Sequence, residues 1–244
     1  MNLKRWCRAV LAGGVIGWAA SSSALVWVEG PADAGDLTST AQQTVGTGPL
    51  TRISGQLEFD IDTGFFDVDL FAITIEAPSF FTALTQAAVD TLIDPVLWLF
   101  DSTGHGVYMN DDRSASDQQS TLPASHPLGP LAVGRYYLGI SWTLFDPISD
   151  LANPFSSIFP IYESLLPTDG VYGPTGSGGL GALAGWTPNI VRQDLPSQYI
   201  IDIRGVRAAV PEPATVLLLL LGMVLIAVRR VPASLGAGSR AALG

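Results

Sequence analysis

The stretch Leu97-Trp98-Leu99-Phe100-Asp101-Ser102-Thr103-Gly104 decides the fold class of this 244-residue chain. An uninterrupted apolar run, residues 96–100, lies between Pro95 and a turn sequence made of Asp, Ser, Thr and Gly. A short apolar run bounded in this way is typical of a β-strand. Residues 106–109 follow the turn, and we predict that they pair back onto the strand as a hairpin.

Further strands are predicted on both sides of this hairpin. Residues 52–59 and 68–75 precede it, and side chains in the second segment alternate between two faces. Residues 134–141, entered through a glycine turn, and residues 199–203 follow it. Only residues 80–93 are predicted to form a short helix. Short strands separated by turn sequences favour a mainly β fold of the sandwich type.

The segment between Trp142 and Pro196 has a looser pattern, with seven prolines and a glycine-rich stretch over residues 176–181. A loop of this length in a compact domain is usually functional or disordered. Its large apolar side chains indicate that parts of it pack onto the domain. These side chains are Phe155, Phe159, Ile161, Tyr162 and Trp186.

Three stretches in order carry a family resemblance. They are Phe66-Asp67-Val68-Asp69-Leu70-Phe71-Ala72-Ile73, the hairpin stretch continued to Asn110-Asp111-Asp112, and Leu131-Ala132-Val133-Gly134-Arg135-Tyr136-Tyr137-Leu138-Gly139-Ile140. Together they resemble the bacterial pre-peptidase C-terminal (PPC) domain, over about residues 75–140 and to 205 if 199–203 is the closing strand. The resemblance implies a non-catalytic, jelly-roll-like antiparallel β-sandwich, associated with substrate or matrix binding and sometimes with calcium. The predicted helix at 80–93 and the long segment after Trp142 depart from the family's compact pattern.

The C-terminal region has three parts, which are Val210-Pro211-Glu212-Pro213, an apolar run ending at Val228, and Arg229-Arg230. The run is shorter than the ~20 residues of an upright transmembrane helix. However, the prolines mark its start, and the arginines at its end favour the cytoplasmic side. We therefore predict a C-terminal transmembrane helix with the preceding domain outside. A buried core helix is the alternative, but it would need a polar face that residues 216–221 lack.

This arrangement resembles the PEP-CTERM sorting signal of exported bacterial proteins. The resemblance implies an exosortase-type sorting enzyme as a partner, processing near the motif, and delivery through the cell envelope membrane to the cell surface or extracellular matrix. The predicted signal residues are Pro211, Glu212, Pro213, Arg229 and Arg230. Unlike most members of that family, the chain continues beyond the basic cluster, from residue 231 to 244, as an Ala/Gly/Ser-rich tail predicted to be disordered.

The N-terminus has the pattern of a secretory signal peptide. Lys4-Arg5-Trp6-Cys7-Arg8 precedes an apolar run over residues 9–20, and small residues follow. Cleavage after Ala24 or after Ala34 fits the pattern, and a retained N-terminal anchor is the alternative. The predicted organisation is a signal peptide (1–34), a β-sandwich domain (35–207), a sorting signal with its transmembrane helix (208–230) and a tail (231–244).

The charge and the cysteine content of the chain restrict the ligands it can bind and the reactions it can catalyse. The chain has 22 acidic against 12 basic residues, and none of the basic residues between 35 and 209 is a lysine. Without a basic stripe, nucleic-acid binding has no electrostatic support, whereas an acidic exterior fits solubility or divalent cation binding. The only cysteine, Cys7, lies in the predicted signal peptide. The mature domain is therefore predicted to lack disulfides, thiolate metal sites and cysteine nucleophiles.

Carboxylates are the abundant functional groups of the central region. Asp60 and Asp62 resemble the start of a calcium loop, but Phe71 occupies the position where an EF-hand needs glutamate. The candidate calcium ligands at strand starts and turn tips are Asp67, Asp69, Asp101, Asp111 and Asp112. Hard oxygen ligands from adjacent turns suit calcium. The alternative is that each aspartate caps its own turn.

No catalytic motif stands out. His105 and His126 lie outside any nucleophile-elbow or zinc-protease pattern and are expected in loops. Trp98, Trp142 and Trp186 would stack on sugars if exposed and belong to the core if buried. We therefore predict a non-catalytic envelope or extracellular-matrix protein that binds polysaccharide, such as exopolysaccharide, or protein. The alternatives are a calcium-dependent adhesion module and a hydrolase of matrix polymer that uses carboxylates of residues 142–196.

Overall fold

The computed structural model describes residues 23–60, 65–88, 94–143, 145–151, 156–160, 170–187 and 198–208. The predicted apolar run of the signal peptide, the sorting signal and its transmembrane helix lie outside these residues. Within the described ranges the chain is mainly β, with a single 3₁₀ turn at Pro78–Phe80. None of the helical structure in these ranges has the length and apolar character needed to cross a membrane.

The strands are short, as the spacing of turn sequences predicts. In chain order they are β1 (Leu25–Val28), β2 (Gln42–Gln43), β3 (Leu50–Gln56), β4 (Phe59–Asp60), β5 (Phe65–Phe66), β6 (Asp69–Ile75), β7 (Thr82–Thr85), β8 (Pro95–Asp101), β9 (Gly106–Asn110), β10 (Thr121–Leu122), β11 (Gly134–Trp142), β12 (Pro147–Ser149), β13 (Val171–Tyr172), β14 (Leu183–Trp186), β15 (Gln198–Arg204) and β16 (Val206–Arg207).

Two main sheets contain most of these strands. In the described part of the chain, one sheet has the order β1-β3-β15-β7-β10, and the other has the order β13-β9-β8-β11-β6-β16, with β2 also paired to β6. The pairs β1/β3 and β2/β6 are parallel, so the expected purely antiparallel arrangement is corrected to a mixed one. Two-stranded sheets, β12-β14 and β4-β5, complete the described topology.

The predicted hairpin at the centre of the larger sheet is confirmed. β8 pairs antiparallel with β9, and Leu99 lies opposite Tyr108. Gly104 at the turn has φ +88°, a left-handed conformation that glycine adopts without strain. β11 pairs along the other side of β8, so β8 is an interior strand of its sheet.

β8 is buried on both faces, which explains why its apolar run does not alternate with polar residues. One face belongs to the core shared by the two sheets. On the other face, Trp98 and Phe100 contact Phe159, with ring centroids 5.4 and 6.2 Å apart, and Trp186, at 5.6 and 6.1 Å. β6 is also buried on both faces, so its residues do not alternate between a buried and an exposed face as expected.

The described parts of the long segment after Trp142 therefore pack onto the larger sheet. This confirms the expectation for Phe159 and Trp186, whereas Phe155, Ile161 and Tyr162 lie outside the described residues. Trp98 and Trp142 are buried core residues. Neither of these two indoles is therefore a surface platform for sugar stacking.

Contacts between side chains join the two main sheets into one core. Phe71 of β6 meets Tyr199 of β15 edge to face at 6.4 Å. The ring centroids of Phe81 and Tyr108 lie 6.5 Å apart. Buried residues of both sheets belong to one continuous apolar cluster.

The helix predicted over residues 80–93 is wrong for the part that is described. Thr82–Thr85 forms strand β7, which pairs with β15 on one side and with β10 on the other. Ala83 and Thr85 point into the core while Thr82 and Leu84 are partly exposed, and this alternation is that of a strand. Residues 89–93 lie outside the described ranges.

The strand registers give the domain two distinct ends. In the larger sheet, Ile140 lies opposite both Asp69 and Leu97, and Leu97 lies opposite Asn110. The start of β6, the start of β8 and the end of β9 therefore share one end, which we call the acidic end because aspartates flank all three positions.

The opposite end is defined by the other termini of the same strands. Gly134 lies opposite Ile75 in the larger sheet, and Arg204 lies opposite Thr82 in the smaller one. Leu25, the first residue of β1, lies opposite Leu50 at this same end. We call this the distal end.

Candidate functional site

Four carboxylates and one tyrosine meet at the acidic end. Glu29 follows β1, Asp33 lies in the next loop, and Asp67 and Asp69 lie at the start of β6. Carboxylate oxygens of Glu29, Asp33 and Asp69 lie within 4.8 Å of one another. We call these four residues the Glu29–Asp69 cluster.

Backbone amides fix two members of this cluster. Glu29 accepts hydrogen bonds from the backbone N–H of Ala34 (3.1 Å) and of Gln56 (2.9 Å). Asp67 accepts one from the backbone N–H of Glu58 (2.7 Å). The end of β1 is thereby attached to β3, and the start of β6 to the segment that follows β3.

Tyr199 of β15 reaches across the core to join the cluster. Its hydroxyl lies 3.2 Å from Glu29 Oε2 and is also hydrogen-bonded to Asp69 Oδ2. Because a tyrosine hydroxyl has one proton to donate, it can serve only one of the two carboxylates at a time. Gly55 leaves the space for this contact, since a Cβ there would collide with the Tyr199 hydroxyl and the Glu29 carboxylate.

Asp69 is the unusual member of the cluster. It is fully buried, and its Oδ1 atom has no hydrogen-bond partner among the described residues. A buried carboxylate is costly unless it is neutralised, paired or bound to a cation. The cluster therefore requires additional positive charge, supplied either by protons or by a metal ion.

Burial and mutual repulsion raise the pKa values in the cluster. Burial raises the pKa of Asp69 well above its ordinary value, and the charges of Asp67 and Glu29 add to the effect. Burial also raises the pKa of Asp67, with the neighbouring Asp33 carboxyl as the next cause. A positively charged group in this position would offset the repulsion that adds to the effect of burial on these pKa values.

A second group of carboxylates lies at the same end, at the other side of the larger sheet. Oxygens of Asp94, Asp111 and Asp112 lie within 4.8 Å of one another. Burial, followed by the charge of Asp94, raises the pKa of Asp111 to about 7. Burial, followed by the charge of Asp112, raises the pKa of Asp94 to about 6.

The two groups are separate sites. β11 and β8 lie between β6, which carries Asp69, and β9, which precedes Asp111. Three inter-strand spacings of ~4.8 Å put about 14 Å between β6 at Asp69 and β9 beside Asp111, and two spacings put about 10 Å between β6 and β8 beside Asp94. Asp94 accepts a hydrogen bond from Gln118 Nε2 (3.1 Å), and Asp111 from Thr143 Oγ1 (3.4 Å).

The five aspartates predicted as calcium ligands thus fall into three places. Asp67 and Asp69 belong to the first group, and Asp111 and Asp112 to the second. Asp101 lies at the distal end of its sheet, where it accepts hydrogen bonds from the backbone N–H groups of Thr103 (2.8 Å) and His105 (3.1 Å). That is the turn-capping role that was the alternative for these aspartates.

Glu29, Asp33 and Asp94 were missed by sequence reasoning. Glu29 and Asp33 fall within residues 1–34, which were predicted to be signal peptide. The signal that identifies them is the run Leu25-Val26-Trp27-Val28, because β-branched and aromatic residues in succession are typical of a strand. Asp94 precedes the clearest strand of the chain, and no motif distinguishes it.

The histidines have local partners. His105 Nδ1 lies 2.8 Å from Thr103 Oγ1 in the hairpin turn. His126 stacks on Tyr108 with 6.1 Å between ring centroids. The two residues therefore occupy different environments.

The sorting signal residues, from Pro211 to Arg230, lie outside the described residues, and comparison supplies the evidence for them. The family model for the PEP-CTERM protein-sorting motif matches residues 209–231. The match contains Pro211, Glu212, Pro213, Arg229 and Arg230 and begins just after β16. No curated protein and no solved structure matches the chain.

The described part of the chain is therefore mainly β, and a sorting motif follows its last strand directly. The motif is of the PEP-CTERM type, which indicates export and membrane-associated sorting by an exosortase.

Proposed function

We propose that this protein is a non-catalytic component of the cell envelope or extracellular matrix, whose β domain binds polysaccharide or protein outside the membrane. In this proposal the two main sheets form a jelly-roll-like sandwich, and the sorting segment crosses the membrane as a helix. The observation that carries it is the position of the sorting motif. It starts at residue 209, two residues beyond β16, the last strand of the described residues, so the folded domain is the cargo of the signal.

Cell fractionation tests the sorting part of this proposal. The full chain is expressed with an exosortase, beside a variant that combines Pro211→Ala, Glu212→Gln and Pro213→Ala. We expect the parent chain to be processed and to reach the surface, and the variant to remain unprocessed in the membrane. Pro232→Ala, which lies beyond the matched motif, is the control and should behave like the parent. Recovery of the parent chain in the cytosol would contradict the proposal.

The binding part is tested with the exopolysaccharide of the producing cells. The proposal predicts that the purified protein co-sediments with this polymer or with an envelope protein and leaves the polymer chain length unchanged. Release of new reducing ends would contradict a non-catalytic role and favour the hydrolase alternative.

A second candidate function, a calcium-dependent binding module, is favoured by Asp69. Asp69 has a buried, unpartnered oxygen and belongs to a group of carboxylates whose oxygens approach one another within 4.8 Å. Calcium takes six to eight oxygen ligands, including carboxylates, in flexible geometry. Glu29, Asp33, Asp67 and Asp69 would hold the ion, which would neutralise their mutual repulsion.

Such an ion would act on the stability of the domain. The four carboxylates come from the N-terminal segment and from β6, and Tyr199 comes from β15, so the site connects both main sheets. An ion that binds only the folded state stabilises it by mass action. Calcium would thereby rigidify the domain in an ion-rich extracellular medium.

Calcium titration of the full chain in detergent tests this function. We expect heat of binding and a rise in unfolding temperature, both abolished by Asp69→Asn, since the variant loses a charged ligand in the buried position. Asp101→Asn is the matched control, because Asp101 caps a turn at the distal end. The absence of any response in the parent chain, or an equal response in Asp69→Asn, would rule out calcium at this site.

A further inference from the structure

The distal end of the domain carries exposed apolar side chains on neighbouring loops. Phe80 is 71% exposed, Leu131 92% and Val133 68%. Phe80 immediately precedes the loop into β7, while Leu131 and Val133 precede β11. We call these three residues the apolar rim. Single exposed apolar residues are ordinary on protein surfaces, but a contiguous group of them marks an interaction site.

The rim borders a groove with rigid, mostly uncharged walls. Pro78, Pro123 and Pro130 line it together with Leu131, Val133 and His126, and none of the described residues that line it carries a carboxylate. Proline has no backbone N–H and a fixed φ, so these walls lose few backbone hydrogen bonds to water when the groove is covered.

Three exposed arginines lie at the distal end near the rim, together with the carboxylates of Glu76 and Asp101. Arg135 follows the rim in sequence and is exposed, with its guanidinium 5.2 Å from the ring centroid of Tyr137. Arg204 is exposed at the end of β15. Arg207 lies nearby and pairs with Glu76 at 2.9 Å. An apolar patch with basic neighbours complements an anionic lipid surface.

The chain turns at Gly205 beside the rim and then runs back along β6 as β16, as far as the last described residue, Ala208. Gly205 packs closely against the segment that precedes β7. A Cβ at Gly205 would lie 2.9 Å from the backbone nitrogen of Phe81 and 3.0 Å from the carbonyl carbon of Phe80. The sorting motif follows from residue 209, and its apolar run starts near residue 214. A linker of five residues spans at most about 17 Å, so before the motif is processed the tail tethers the domain close to the membrane that receives it.

We propose that the apolar rim docks onto the outer surface of the lipid bilayer, with the acidic end facing away from the membrane. The proposal rests on the membrane sorting proposed above and adds an orientation to it. The tether gives the apolar rim a high effective concentration at the membrane surface. A patch too small to bind the membrane by itself can therefore dock there. Phe80, Leu131 and Val133 would enter the headgroup region, and Arg135 and Arg204 would contact anionic headgroups.

Spin labelling of the full chain tests the orientation. Cys7→Ser removes the only cysteine, and a nitroxide is then attached at Leu131→Cys or Phe80→Cys. The matched control is Val28→Cys, because Val28 is 65% exposed and adjoins Glu29 at the acidic end. Each protein is reconstituted through its tail into vesicles with three parts phosphatidylcholine and one part phosphatidylglycerol.

The readout is accessibility of the nitroxide to oxygen, which partitions into lipid, relative to a water-soluble nickel chelate. We expect the oxygen-to-nickel ratio to be several-fold higher at positions 131 and 80 than at position 28. Equal ratios would overturn the proposal, and so would spin–spin broadening at position 131, which would indicate self-association through the rim. Because the vesicles bypass cellular export, failure here is distinguishable from failure of the sorting proposed above.

Discussion

Asp69 faces the core although it is the first residue of its strand. The same face of β6 carries Phe71, which packs on Tyr199, and Tyr199 in turn hydrogen-bonds Asp69. One tyrosine therefore satisfies one of the two oxygens of a buried acid and contributes its ring to the apolar core. Sequence alone identified Asp69 as a ligand candidate but not its tyrosine partner, because 130 residues separate the two in sequence.

Tyr199→Phe tests how far this hydroxyl stabilises the domain. Removing a hydrogen bond to a buried acid is expected to lower the free energy of unfolding by about 1 to 3 kcal/mol. For a domain of this size that corresponds to a fall of ~2–4 °C in unfolding temperature per kcal/mol. Thermal unfolding of the full chain, monitored by circular dichroism, measures it.

Tyr136→Phe is the comparison for this prediction. The Tyr136 hydroxyl donates to the backbone carbonyl of Ala132 at 2.9 Å, a neutral acceptor in a partly buried place. We expect a smaller loss there than at Tyr199. Equal losses in the two variants would mean that the acidic cluster does not depend on its tyrosine.

At the scale of elements, β1 shows that residues 25–28, which were predicted to belong to the signal peptide, form a strand of the folded domain. Leu25–Val28 pairs in parallel with β3, Thr51 Oγ1 donates to the carbonyl of Leu25 (3.1 Å), and Trp27 donates to Gln42 Oε1 (2.7 Å). Both of the cleavage sites suggested by the sequence border this region. Cleavage after Ala34 would remove an edge strand together with Glu29 and Asp33.

We therefore predict that the mature chain begins at Leu25, after cleavage behind Ala24. Mass spectrometry of the intact exported protein, or sequencing of its N-terminus, determines this directly. A mature N-terminus at Gly35 would contradict the prediction and would leave Asp67 and Asp69 without half of their cluster.

The segment that covers the outer face of the larger sheet is a second element with a testable role. Trp186 contacts Trp98 and Phe100, and its indole N–H donates to the backbone carbonyl of Asp36 at 2.7 Å. Trp186→Ala is expected to destabilise the cover by about 3 kcal/mol, the lower value typical for truncation of a large aromatic residue.

Limited proteolysis measures this effect, because loss of the contact should open the segment to cleavage while the sheets stay folded. Leu180→Ala is the control, since Leu180 lies in the same segment and is exposed. Unchanged cleavage of the Trp186 variant would show that the indole does not hold the cover in place.

Local signals explain which elements could be predicted. β8 and β9 carry their own turn, and β11 and β15 are long runs rich in aromatic or β-branched residues, so each is recognisable in isolation. β7 was misread as helix because it has only four residues, and its pairing with β15 decides its conformation. The acidic clusters are invisible locally, since strand registers alone bring Glu29 to Asp69 and Asp94 to Asp111.

At the scale of the whole molecule, the acidic end makes stability depend on pH. The pKa values of Asp94 and Asp111 are about 6 and about 7 in the folded domain, against roughly 3.9 for an unfolded aspartate. Between these values the folded state binds more protons than the unfolded chain. The free energy of unfolding therefore falls as pH rises from about 4 to 7.

Chemical denaturation in EDTA across pH 5 to 8 tests this sign, and we expect the midpoint to be highest at pH 5. Added calcium should reduce the decline, because a bound cation replaces the protons as the neutralising charge. A midpoint that rises towards pH 8 in EDTA would mean that the carboxylates are paired with cationic groups and do not repel one another.

The place of β15 in its sheet also determines when the domain can fold. β15 lies in the middle of the smaller sheet, between β3 and β7, although among the described strands only β16 follows it in the chain. An exported chain emerges from its translocation pore N-terminus first, so this sheet stays incomplete until Arg204 has passed through. The sorting motif begins only five residues later. Completion of the smaller sheet and arrival of the sorting motif at the membrane are therefore expected to coincide in time.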